Sequence, residues 1–240
     1  MHPILFKLGP ITVYSYGAMI ALSVVVCSFL LGRDAKKIQI PADVIYDLMF
    51  WVVAWGILGA RVFYVILTWD YFSQNPLEII MIMHGGLAWQ GGLIGGLIAG
   101  VWFVRHKKLK LRIILDLVAP YIALGQSIGR IGCFFNGCCY GREVEWGIYF
   151  PAQHARLHPT QLYETVGLFV VFLILKYAQT NPHRAGMIFV LYLWLGAIER
   201  FVVEFYRADH DVLWLGLSLF QYIAIGIFFL GLFLLGKFKK

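Results

Sequence analysis

The chain is 240 residues long, 60% hydrophobic and 14% charged, with a formal net charge of +7 and a mean hydropathy of +0.76. A soluble domain of this size needs far more charge to cover its surface, so the composition excludes one and predicts a membrane protein. The basic residues form short clusters between apolar runs, a pattern of topology signals and anionic-lipid contact that argues against nucleic acid as a partner.

Seven segments are apolar enough and about long enough to cross a bilayer as helices, at roughly 14–32, 45–68, 86–104, 113–131, 162–178, 186–206 and 217–236. Helices are expected because each run must close its own backbone hydrogen bonds in hydrocarbon. The first run is too long for a cleavable signal peptide and lacks a small-residue cleavage site, so the amino terminus is expected to be retained. The third, GGLAWQGGLIGGLIAG, is dense in glycine. That density serves either tight helix packing or close approach of a lipid headgroup.

Lys and Arg divide unevenly between alternate connections. One set holds thirteen: Arg33, Lys36, Lys37, Arg105, Lys107, Lys108, Lys110, Arg112, Lys176, Arg184, Lys237, Lys239 and Lys240. The other holds four: Lys7, Arg142, Arg156 and Arg207. The predicted fold class is therefore an all-α integral membrane protein of about seven transmembrane helices, amino terminus outside and carboxyl terminus cytoplasmic. Residues 1–240 are read as a single polytopic membrane domain, whose longest connection, the outward loop at about 132–161, carries most of the unusual chemistry.

Three arginines, Arg61, Arg130 and Arg200, fall inside apolar segments. Each costs roughly 2.5 kcal/mol or more at mid-bilayer and so calls for a carboxylate, water or an anionic ligand. In ERFVVEFYRAD, Arg200, Glu204 and Arg207 share one helical face, so Glu204 can pair with either arginine. Arg130 has no acid within helical reach on its own segment. It is expected either to pair with Glu164 or Glu204 from another helix, or to hold an anion together with Arg207. A phosphate suits the guanidinium fork, which matches its oxygens bidentately.

The stretch GRIGCFFNGCCYGR at 129–142 resembles the signature segment of the prolipoprotein diacylglyceryl transferase family, bacterial inner-membrane enzymes that attach diacylglycerol to the lipobox cysteine of lipoprotein precursors. SYG at 15–17, GARVFYV at 59–65, GGLAWQGGLIG at 85–95, LDLVAP at 115–120, HPTQLYE at 158–164 and VEFYR at 203–207 agree in order. The resemblance spans nearly the whole chain. It implies a multi-pass protein of the bacterial cytoplasmic membrane, with phosphatidylglycerol and the lipobox-bearing signal peptide of a prolipoprotein as partners, among membrane lipids. The implied reaction transfers the diacylglyceryl group from phosphatidylglycerol to a thiol, leaving a thioether and releasing glycerol phosphate. Arg130 and Arg207 match the arginines that would hold the phosphate. Tyr16, Gln90 and Glu164 are the other expected catalytic positions, and Gly95, Asn136, Gly141, His158 and Glu204 the expected substrate-binding ones. Tyr16 also reads as an interfacial aromatic anchor. His158 and Pro159 also read as a plain helix start, and Glu164 more readily as a clamp on an arginine than as a proton carrier.

The chain departs from the family at three places. Gln90 stands where histidine is usual, Cys133 where asparagine is usual, and Cys138 where glutamate is usual. Glutamine cannot act as a base. One explanation is that His84 substitutes, or that nearby arginines ease ionisation of the substrate thiol. The others are a diverged paralogue that binds phosphatidylglycerol but uses another acceptor, and a protein that has lost activity. Cys133, Cys138 and Cys139 admit several roles: packing, a Cys133–Cys138 disulfide across the glycine turn, or an outward-facing membrane thiol-redox centre. Cys-x4-Cys-Cys fits no standard zinc spacing, so a metal site with His154 or His158 is the least favoured reading. No cofactor is signalled, and a lipid transporter remains a rival class.

Overall fold

The apolar runs form α-helices in the computed structural model, which describes residues 1–9, 11–81, 85–208 and 213–239. In chain order these are α1 (Ser15–Lys37), α2 (Ala42–Leu67), a short α3 (Trp69–Gln74), α4 (Trp89–His106), α5 (Leu111–Asn136), α6 (Thr160–Thr180), α7 (Met187–Glu204) and α8 (Leu219–Lys239). Among the described residues, helices α1, α2, α5, α6 and α8 are the five long and apolar enough to cross a membrane. At 18 residues each, α4 and α7 are shorter and more polar: α4 opens on Trp89-Gln90 and closes on Arg105-His106, and α7 carries Glu199, Arg200 and Glu204. Large apolar side chains on the long helices face outward, with Phe50, Ile66, Val166 and Tyr177 between 62% and 73% exposed. Such a surface is suited to lipid rather than water.

Two antiparallel hairpins accompany the helices, an addition to the all-helical expectation. β1 (Ile4–Leu8) pairs with β2 (Ile11–Tyr14), and β3 (Glu143–Phe150) pairs with β4 (Ala155–Leu157). The second lies in the segment read from sequence as a loop. That loop starts late, because α5 continues to Asn136, well past Arg130, so that Cys133 is a helical residue.

The chain packs as two compact units, Met1–Leu31 with Leu115–Lys240, and Gly32–Ile114. The core of the first is Ala119 and Ala123 of α5, Val171 and Leu175 of α6 and Ile188 of α7. Asp116 is matched through both its backbone and its side chain. Pro120 inside α5 has no N–H to offer the carbonyl of Asp116, four residues back, and Gln179 Nε2 donates to that oxygen instead at 2.7 Å. The Asp116 carboxylate accepts the N–H groups of Gly186 at 2.5 Å and Phe189 at 2.9 Å, capping α7.

In the second unit, α2 and α4 meet through glycine. A methyl group on Gly91 would strike the Gly59 carbonyl, and one on Gly95 the Trp55 carbonyl. Only glycine lets the two backbones approach this closely. Among the described residues Arg61, 5% exposed on α2, has no carboxylate partner. Its Nε donates to Ile79 O at 2.9 Å, its Nη1 to Gly85 O at 2.5 Å and Gly86 O at 3.0 Å, and its Nη2 to Met81 O at 3.2 Å and to Glu78 O. The guanidinium also lies over the Phe72 ring, 5.2 Å from its centroid. All five of its N–H donors are thus matched.

Candidate functional site

The site grows from the first turns of α6. Pro159 precedes the helix, Thr160 and Gln161 open it, and Glu164 follows one turn in, 1% exposed. A lone carboxylate so deeply buried is costly unless cations surround it, and here three arginines do. Arg130 of α5 donates through Nε to Glu164 Oε2 at 2.9 Å. Arg200 of α7 donates through Nη1 to Oε1 at 2.6 Å, and Arg207 Nη1 stands 3.4 Å from Oε1.

Glu204 links the latter two. Its Oε2 is 2.8 Å from Arg200 Nη2 and 3.8 Å from Arg207 Nε, while Ser218, ahead of α8, donates its hydroxyl to Oε1 at 2.6 Å. Arg200 also lies over the Phe220 ring, 4.9 Å from its centroid. Glu164 and Glu204 together leave one positive charge in excess over Arg130, Arg200 and Arg207. Glu199, next to Arg200, instead packs against Gly167, and among the described residues its buried Oε1 has no partner.

The three guanidiniums are not equivalent. The Arg207 side chain is 3% exposed and enclosed by both carboxylates, whereas Arg200 keeps 21% exposure and Arg130 26%. Among the described residues Arg130 is engaged through Nε alone. Its two Nη groups form an edge that can receive an anion.

Gly141 fixes Arg207. Its N–H donates to His158 O at 2.9 Å, the neighbouring Arg142 N–H donates to Tyr206 O at 2.9 Å, and Gly141 and Arg207 form an antiparallel bridge. A side chain at Gly141 would collide with the Tyr206 carbonyl, the His158 Cβ and the Thr160 methyl. His158 closes this side: its Nδ1 is 3.0 Å from the Tyr163 hydroxyl, and its ring meets Trp146 and Tyr206 edge to face.

Helix α6 also pins the cysteine turn. Gln161 Nε2 donates to Cys138 O at 2.6 Å and Thr160 Oγ1 to Cys139 O at 2.7 Å. The turn passes through Gly137 at φ +74° and Cys139 at φ +63°, the latter a conformation disfavoured for an L-residue. All three thiols are free, and their sulfurs lie within 4.8 Å of one another, so the disulfide expected as one option is not formed. Hydrogen bonds from Cys133 and Cys138, and then the Arg207 guanidinium, hold the Cys139 thiol below the ordinary range. Asn136 is exposed at the end of α5, two residues before Cys138. Tyr16, at the start of α1, packs on Gly132, within electrostatic range of Arg130 and the three cysteines.

Arg130, Glu164, Glu204 and Arg207 are thus directly linked, with Tyr16, Asn136, Gly141 and His158 in the same unit. Gln90 and Gly95 belong to the other unit: Gln90 is exposed in the first turn of α4, and Gly95 serves the α2–α4 contact. His84 lies outside the described residues. Neither His154 nor His158 joins the thiol cluster. Arg200, absent from the expected site residues, bonds both carboxylates. Its i,i+4 spacing to Glu204 was the available signal. Ser218 and Gln161 carried no signal, because their partners are distant in sequence.

Apolar helices of membrane-spanning length around a buried ionic cluster define an integral membrane protein with a polar site. The pattern of the family described as prolipoprotein diacylglyceryl transferase matches residues 3–236. The chain belongs to that family. It is 38% identical to a phosphatidylglycerol–prolipoprotein diacylglyceryl transferase of Finegoldia magna, over 100% of this chain and 97% of the relative. A protein of the same name from Clostridium tetani is 33% identical over 100% of both chains, and one from Staphylococcus xylosus is 36% identical over 98% of this chain and 88% of the relative.

Proposed function

We propose that this protein is an enzyme that transfers the diacylglyceryl group of phosphatidylglycerol to the lipobox cysteine of prolipoproteins. The relatives' names supply the reaction class over the full length of the chain. The observation that carries the reading to a site is the open Nη edge of Arg130, beside a cluster with one cation in excess. In the reaction a carbon–sulfur bond forms at the diacylglyceryl carbon and its carbon–oxygen bond to phosphate breaks. Glycerol phosphate leaves with the bonding electrons, and the thiol proton passes to solvent or to the departing phosphate. Negative charge gathers on the phosphate, where an aimed guanidinium in a dry site has most effect.

Arg130 grips the phosphate. Arg200 and Arg207 keep the cluster positive, and Glu164 and Glu204 orient the arginines. Tyr16, Asn136 and His158 line the approach, and Gly141 holds the turn that places Arg207. Seven helices of at least 18 residues among the described residues support seven crossings of the bacterial inner membrane by one polytopic domain, and the basic-residue asymmetry supports an outward amino terminus and a cytoplasmic carboxyl terminus.

The test is to incubate purified protein with labelled phosphatidylglycerol and a lipobox peptide. Label is expected on the peptide cysteine as a thioether. Lipid that stays bound without any lipidated peptide would sink the transferase reading.

A further inference from the structure

The cysteine cluster lies beside the ionic site and is left over by the mechanism above. We propose that Cys133, Cys138 and Cys139 hold a thiophilic divalent cation of the zinc class, with a fourth coordination position left for the incoming substrate thiol.

Geometry comes first. Three thiolates around an ion at about 2.3 Å sit about 4 Å apart in a trigonal arrangement. The three sulfurs here already lie within 4.8 Å of one another, with Cys138 and Cys139 Sγ 3.7 Å apart. The turn is also preset. Gln161 and Thr160 fix the carbonyls of Cys138 and Cys139, the Cys138 N–H donates to Cys133 O at 3.3 Å, and Cys139 takes a positive φ that L-residues adopt less readily. A turn shaped only for packing has no need to aim three thiols at one point.

The chemistry of the ligand set selects the ion. Three sulfurs and no carboxylate oxygen suit a soft or borderline cation and disfavour magnesium or calcium. Three thiolates around a divalent ion give a centre of net charge −1, which Arg130 and Arg207 are placed to offset, since both interact electrostatically with Cys139. Only three protein ligands converge, as in catalytic rather than structural zinc sites.

The open position gives the site a use, which rests on the transferase reading. A thiol that coordinates such an ion loses its proton. The substrate cysteine would bind as thiolate, release its proton to solvent, attack the diacylglyceryl carbon as Arg130 draws off the phosphate, and leave the ion as a thioether. This supplies the ionised nucleophile that Gln90 cannot generate.

The test uses full-length protein in detergent, stripped by a chelator under reducing conditions and titrated with Co2+. We expect one Co2+ per chain, with intense sulfur-to-metal charge-transfer absorption abolished by Zn2+, and at least tenfold weaker binding in Cys133→Ser and Cys138→Ser. A lipobox peptide should shift the visible bands, whereas its cysteine-to-serine counterpart should not. Stripping should lower peptide lipidation at least tenfold, and Zn2+ should restore it. The proposal is overturned by the absence of stoichiometric binding to stripped wild type, by binding undiminished in folded serine variants, or by bands indifferent to the peptide. It is equally overturned by undiminished lipidation after stripping, or by native protein two hydrogens lighter through a disulfide. The titration of wild type needs no variant, so misfolded variants decide nothing alone. If loaded wild type never lipidates the peptide yet the peptide still shifts the bands, the transferase reading fails while the metal site stands.

Discussion

Arg61 and Arg130 are both arginines inside apolar helices, and the structure gives them opposite surroundings. Arg61 has five N–H donors and five carbonyl acceptors, all from the segment just after α2, and is 5% exposed. Among the described residues Arg130 has one matched donor, its Nε, and its two Nη groups have no partner. A misplaced charge is therefore no marker of function by itself. What distinguishes the two is the hydrogen-bonding capacity left after the protein has been satisfied: Arg61 has none, so it serves the fold, and Arg130 has enough for a phosphate.

Truncating Arg61 to alanine should have the largest effect on stability. It strands the carbonyls of Glu78, Ile79, Met81, Gly85 and Gly86, and the loss should approach about 3–5 kcal/mol, since each buried acceptor left unpaired costs about 1–3 kcal/mol. Thermal unfolding in detergent reads this directly. A folded R61A protein of normal stability would break the comparison.

Arg130→Lys probes the other side. Lysine keeps the charge and loses the planar fork, so lipidation should fall by about two to three orders of magnitude. The unfolding temperature should barely move, because Glu164 keeps Arg200 and Arg207. Equal losses of stability and activity would instead make Arg130 a second Arg61. A smaller effect is expected at Gly91→Ala, where the added methyl meets the Gly59 carbonyl and the Phe63 side chain. Overpacking there should destabilise by about 1–3 kcal/mol, while the phosphatidylglycerol concentration giving half-maximal lipidation stays unchanged.

The long apolar helices were legible because hydropathy is a local property, and the helix at 15–37 or 219–239 needs nothing beyond its own composition. The seam between α2 and α4 was half legible: the glycines of the third segment announced close approach, and the structure supplies α2 as the neighbour. For Arg130, the sequence offered Glu164 or Glu204 as partners, and only the packing of α5 on α6 selects Glu164. What separates Arg61 from Arg130 was illegible, since carbonyl acceptors exist in every sequence and only a fold aims them. The thiol cluster was hidden for a related reason. Cys-x4-Cys-Cys matches no familiar ligand spacing, and convergence depends on two positive φ angles, at Gly137 and Cys139, that only the folded turn reveals.

Gln90→His tests whether the unit that houses Arg61 contributes any proton transfer. Gln90 lies exposed in the first turn of α4, and the substitution supplies the imidazole that the sequence resemblance leads one to expect there. If the substrate thiol is ionised at the cysteine cluster, a new imidazole has nothing further to remove, and the lipidation rate should change less than about threefold, well below the usual range for a general base. The pH profile should keep its shape as well, because an imidazole with an ordinary pKa near 6.5 would add a new inflection only if it carried the proton. A gain of about a hundredfold with such an inflection would place the proton-transfer step beside α4 and leave Arg130 with the phosphate alone.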